Sequence, residues 1–114
     1  MGKGFEFLDQ ELLTIIRGTK NGRILVDRLI RVYLREGSEV WVLIHIEVHG
    51  RVNPQFPERM YVYSYRIYDK YSVKVASFAI LTDSNPIWKP TDFSYKLFGC
   101  EVMLKFPIVK ILDY

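Results

Sequence analysis

The sequence has a single cysteine, Cys100, among 114 residues. An internal disulfide is excluded and no second thiol can complete a structural zinc site, so Cys100 is expected as a small buried hydrophobe. Long apolar runs are missing too. Nothing approaches the roughly 18 to 20 residues that a membrane-spanning helix requires, and Met1-Gly2-Lys3-Gly4-Phe5-Glu6 lacks the apolar stretch of a signal peptide. The expectation is a cytoplasmic chain with no membrane partner. Internal repeats and low-complexity tracts are absent, and charge of one sign barely prevails: sixteen Lys+Arg against thirteen Asp+Glu leave +3, which permits nucleic-acid binding without requiring it. What is present is 49% hydrophobic and 25% charged, the composition of one globular domain over residues 1–114 rather than of a disordered tail or a coiled coil.

Phe5, Leu8, Leu12, Ile15 and Ile16 fall at helical spacing, with acidic residues early and Arg17 and Lys20 late, which predicts an amphipathic helix over 5–18. After Asn21-Gly22 the period changes to two. Residues 24–34 carry Ile24, Val26, Ile30, Val32 and Leu34 on the even face, and residues 40–48 repeat this with Val40, Val42, Ile44, Ile46 and Val48. Glu36-Gly37-Ser38 suits a three-residue hairpin loop that pairs Arg35 with Glu39. Leu34 then faces Val40, Val32 faces Val42 and Ile30 faces Ile44, so the apolar faces coincide, and Asp27 lies opposite Glu47. A one-residue slip would mix the faces.

Beyond the loop around Pro54 and Pro57, Met60, Tyr61, Ser64, Ile67, Tyr68 and Tyr71 predict a second helix over 58–71. Residues 73–81 are nearly continuously apolar after Lys74, the pattern of a strand buried on both faces, and a helix before such a strand implies a parallel partner. Residues 93–98 and 101–109 read as a final pair of strands. The order α-β-β-α-β-β-β describes a mixed α/β sheet flanked by helices.

Carboxylates opposed across a hairpin hold their Cβ atoms about 5 Å apart, a repulsion of roughly 3 kcal/mol at an effective dielectric near 20. A hard divalent cation relieves it, because Mg²⁺ takes one or two carboxylates and completes its shell with water and phosphate oxygens. His49 follows Glu47 on the same face. A plainer reading also fits: Asp27 as a solvated residue near a strand start, and Glu47 paired with Arg28, Arg31 or Arg51 on a wet face. His45 and His49 lack a third nitrogen or sulfur ligand nearby in sequence, so zinc is not indicated, and His45 is expected as an orienting or surface residue.

The runs Ile24-Leu25-Val26-Asp27, Trp41-Val42-Leu43-Ile44-His45-Ile46-Glu47-Val48-His49-Gly50 and Glu58-Arg59-Met60-Tyr61-Val62-Tyr63-Ser64-Tyr65-Arg66-Ile67 resemble the recombination-promoting nuclease and transposase-like branch of the PD-(D/E)XK nuclease superfamily. The likeness continues through Ala79-Ile80-Leu81-Thr82-Asp83 and Trp88-Lys89-Pro90 to Pro107-Ile108-Val109-Lys110-Ile111-Leu112-Asp113-Tyr114. It implies a restriction-endonuclease-like core that hydrolyses DNA phosphodiester bonds with Mg²⁺, or with Mn²⁺. Asp27 and Glu47 match the metal-binding acids, the Val48 carbonyl is the expected further ligand, and His49 stands where the family usually has Lys or, in this branch, Gln. Members of the branch usually carry a further helical segment before Phe5 and a tail after Tyr114, so the chain reads as a copy truncated at both ends.

Arg59 lies one helical turn beyond the loop after Glu47, where it could clamp a scissile phosphate. The tyrosines of the second helix suit either base stacking or a helix-to-sheet seam with hydroxyls at the wet edge. The resulting reading is a metal-dependent DNA endonuclease domain linked to recombination or transposition: Asp27 and Glu47 hold the cation, His49 positions or deprotonates water, and Arg59 stabilises phosphate charge. Two alternatives remain: an inactive remnant of the fold that binds DNA or protein, and a small β-rich homo-oligomerisation domain.

Overall fold

A computed structural model of the chain describes residues 4–9, 28–34 and 40–114. Strands β1 (Phe5–Phe7), β2 (Arg28–Leu34) and β3 (Val40–His49) are followed by helix α1 (Phe56–Tyr71). Strands β4 (Val75–Leu81), β5 (Asp92–Leu97), β6 (Cys100–Lys105) and β7 (Ile108–Lys110) complete the order, with a short 3-10 turn at Ile111–Asp113. Among the described residues this is a mixed α/β fold with one α-helix. The main sheet runs β1-β2-β3-β4-β7, and β5 and β6 form a separate two-stranded ribbon.

The β2–β3 ladder is antiparallel with Leu34 on Val40, Val32 on Val42 and Ile30 on Ile44, the register anticipated from the apolar alternation. Its last described pair is Arg28 on Ile46. The expected pairing of Asp27 with Glu47 is the next one, and Asp27 lies outside the described residues, as does the hairpin loop. β4 is parallel to β3, as a strand following a helix implied, and sets Ser77 beside His45, Ala79 beside Glu47 and Leu81 beside His49.

Helix α1 begins where the Asn53 side chain accepts from the Gln55 amide and its carbonyl accepts from the Phe56 amide. Pro57 occupies the first turn, where no N–H is needed. Ser72 ends the helix in the left-handed region at φ 53°, its amide bonded to the Tyr68 carbonyl. The helix buries Phe56, Met60, Tyr63 and Ile67, one stripe at helical spacing. Leu29, Leu43, Tyr63, Ile67 and Leu8 form one core cluster; Phe56, Met60, Ala79, Leu81 and Phe106 form another.

Several expectations are corrected. Phe5–Phe7 is a strand paired with β2 rather than the start of a helix; residues 10–27, over which the rest of that expected helix falls, lie outside the described residues. Here a tertiary ladder overrides a local periodicity only a few residues deep. β4 is not buried on both faces, since Ala76 and Phe78 are exposed while Ser77, Ala79 and Leu81 are buried. The expected strand over 101–109 is broken at Phe106-Pro107 into β6 and β7, because proline cannot donate to a ladder, and β7 pairs parallel to β4 instead. Cys100 is exposed, at the start of β6.

Candidate functional site

The side of β3 that α1 covers is not its most apolar one. Leu43, His45, Glu47 and His49 are buried, while Val42, Ile44, Ile46 and Val48 are only half-buried. Glu47 therefore does not sit on a wet face with Arg28, Arg31 or Arg51; it is 1% exposed, beneath the helix. Alternation identifies two faces of a strand, but which one a helix covers depends on what the helix brings. Here α1 brings polar partners.

Arg59 Nη2 donates to Glu47 Oε1 at 3.3 Å and lies 3.4 Å from the Tyr63 hydroxyl, with the guanidinium carbon 5.5 Å from the Tyr63 ring centroid. On the other carboxylate oxygen, His45 Nε2 approaches Oε2 at 3.2 Å. His45 Nδ1 lies 3.1 Å from Ser77 Oγ, a contact made by the parallel register. A buried carboxylate costs several kcal/mol in lost hydration, and the Arg59 cation on Oε1 offsets part of that cost. His45, expected as an orienting or surface residue, is not at the surface: it is fully buried.

His49 stacks on Phe56 with ring centroids 4.7 Å apart, lies 6.0 Å from the Trp88 ring, and neither of its ring nitrogens has a hydrogen-bond partner among the described residues. Its pKa is lowered by burial first, then by the charges of Arg59 and Arg51; Glu47 and Asp83 oppose this less strongly. The neutral imidazole is favoured. Beyond it, Lys110 Nζ donates to both oxygens of Asp83 at 2.6 and 2.7 Å and to the Trp88 carbonyl at 3.0 Å. Burial works to raise the Asp83 pKa, but the Lys110 hydrogen bond, the Asn85 amide and the Lys110 charge prevail and lower it. This pair ties the segment after β4 to β7.

Of the residues singled out in the sequence, Glu47, His49 and Arg59 meet at the seam between α1 and β3. Arg59 is directed onto Glu47. Ser77, Asp83 and Lys110 are not among the expected site residues, whereas Tyr63 is one of the tyrosines for which a helix-to-sheet seam is expected. Ser77 and Lys110 do carry a signal, each a polar residue in an otherwise apolar strand, but their partners depend on the register of parallel pairings, which sequence does not reveal.

A hard cation needs carboxylate oxygens. Glu47 Oε2 is one without a hydrogen-bond donor among the described residues, which fits such a role, and Asp27 is outside them. Among the described residues no group of three or more His, Cys, Asp and Glu converges on one point. Nor, among them, is any helix long and apolar enough to cross a membrane. Comparison of the chain with protein-family models, curated proteins and solved structures gave no match.

Proposed function

We propose that the chain is a divalent-cation-dependent DNA endonuclease domain of the PD-(D/E)XK type, with a restriction-endonuclease-like core and a role linked to recombination or transposition. The observation that carries this reading is the Glu47 carboxylate, fixed at the end of a central strand, with one oxygen held by Arg59 and the other lacking a hydrogen-bond donor among the described residues. An antiparallel hairpin followed by a helix and a parallel strand, β2-β3-α1-β4, supports it as the scaffold.

Asp27, Glu47 and the Val48 carbonyl hold the cation, Mg²⁺ or Mn²⁺. When bound, the cation supplies charge to the phosphate oxygens and lowers the pKa of a coordinated water. Glu47 keeps its orientation through Arg59, whose planar fork also has donors to offer a phosphate. His49, with both ring nitrogens unpartnered among the described residues, is the group that can accept a hydrogen bond from the attacking water.

A competing reading, an inactive remnant serving DNA or protein binding, is favoured by one observation: Glu47 is 1% exposed and bracketed by Arg59 and His45. Incubation of supercoiled plasmid with the chain separates the two. Nicked or linear product with Mg²⁺ or Mn²⁺, and none with chelator, supports the nuclease; intact plasmid under every cation supports the remnant.

A further inference from the structure

His45 Nε2 and Glu47 Oε2 stand 3.2 Å apart in a sealed seam, with side-chain exposures of 0% and 1%. Yet neither atom has a hydrogen-bond partner among the described residues, so the short approach does not have the direction of an N–H···O bond. Two donor atoms bound to one cation at about 2.1 Å, with an angle between about 90° and 109°, are separated by roughly 3.0 to 3.4 Å. The spacing observed is that of two ligands of one ion.

The other end of the imidazole is also arranged for this. Nδ1 lies 3.1 Å from Ser77 Oγ. With Ser77 accepting from Nδ1–H, the lone pair sits on Nε2, available to an ion off the line to Oε2, and a partner behind Nδ1 is how a metal-binding histidine is usually fixed. His45 and Ser77 are on neighbouring strands in register, so the pair stands on a rigid scaffold rather than on a loop.

We infer that His45 Nε2 and Glu47 Oε2 form a mixed nitrogen–oxygen half of a divalent-cation site, selective for first-row transition ions over Mg²⁺. This rests on the proposed function only in taking Glu47 as a cation ligand. Mg²⁺ keeps to oxygen ligands, whereas imidazole nitrogen favours the transition ions, with affinity rising from Mn²⁺ to Cu²⁺. Ser77 is the positioning residue behind His45.

The test is Mn²⁺ binding to the full chain, followed by electron paramagnetic resonance, with pulsed detection of nitrogen coordinated directly to the ion. The chain contains two histidines, so the assignment is simple. Bound Mn²⁺ should show nitrogen coupling that survives His49→Gln and disappears in His45→Gln. Mn²⁺ affinity should fall tenfold or more in His45→Gln and about tenfold in Ser77→Ala. Mg²⁺ should displace Mn²⁺ only in large excess. Bound Mn²⁺ without nitrogen coupling in the unmodified chain overturns the inference, as do coupling that persists in His45→Gln and displacement by equimolar Mg²⁺. The first result needs no variant, so a His45→Gln chain that fails to fold does not shelter the idea. Absence of Mn²⁺ binding also overturns it, while plasmid cleavage with Mg²⁺ in the same preparation would leave the nuclease reading standing.

Discussion

Arg59, in the first turns of α1, donates from Nη2 to Glu47 Oε1 at 3.3 Å and so joins the helix to the central strand through charge. Arg59→Met should strand a buried carboxylate and cost about 2 kcal/mol, below the roughly 3 to 5 typical of a broken buried pair because the Arg59 side chain is 26% exposed. Adding Glu47→Gln should recover part of that loss. Urea denaturation in chelator measures this; strictly additive single effects would mean that the pair is not coupled.

Lys110 and Asp83 are more deeply buried, with side-chain exposures of 2% and 4%. Lys110→Met should cost about 3 kcal/mol or more, because it leaves Asp83 without its cation. Native-state proteolysis should then cut first in the segment after β4, which Lys110 holds through the Trp88 carbonyl.

The same pair sets an acid dependence. The folded pKa of Asp83 lies below its ordinary value of 3.8, so its contribution to stability is fully present above the ordinary carboxylate range and is lost as pH falls through the folded value. Urea midpoints should drop as the pH is lowered below about 4. Asp83→Asn, less stable at neutral pH, should lose less over that window.

At the ribbon's tip, Phe98 and Gly99 have φ of 51° and 84°, the two positive values of a type I′ turn between β5 and β6. Phe98 is 98% exposed, so its ring gains nothing from burial, and asparagine suits the conformation better. Phe98→Asn should stabilise by about 0.5 to 1 kcal/mol, read as a rise in melting temperature. Gly99→Ala should cost about 1 kcal/mol through backbone strain alone, since an added Cβ would meet no atom within 4 Å.

The hairpin register was legible because one face of each strand is apolar but for Arg28, and a slip would have opposed Ile46 to an aspartate. Helix α1 was legible from its spacing to within two residues at its start. The side of the sheet that it covers was not. Val42, Ile44, Ile46 and Val48 form the more hydrophobic face, but the helix stripe carries Tyr63 and is flanked by Arg59, which match His45 and Glu47. A polar row became core because its partners came from elsewhere in the chain. The Ser77 contact escaped for a related reason, since parallel pairing is set by the crossover and not by any local turn. Cys100 was assigned to the interior on residue type, whereas strand pairing places it next to the exposed turn.

Glu47 is where the fold and the proposed chemistry meet, and its removal is the most direct test. Single-turnover cleavage of end-labelled duplex DNA should be measured at saturating Mn²⁺ for the unmodified chain and for Glu47→Gln, with circular dichroism confirming that both are folded. Loss of a metal-binding carboxylate should slow cleavage by about a thousandfold or more while the fold persists. Cleavage by Glu47→Gln within a few-fold of the unmodified rate would contradict the account.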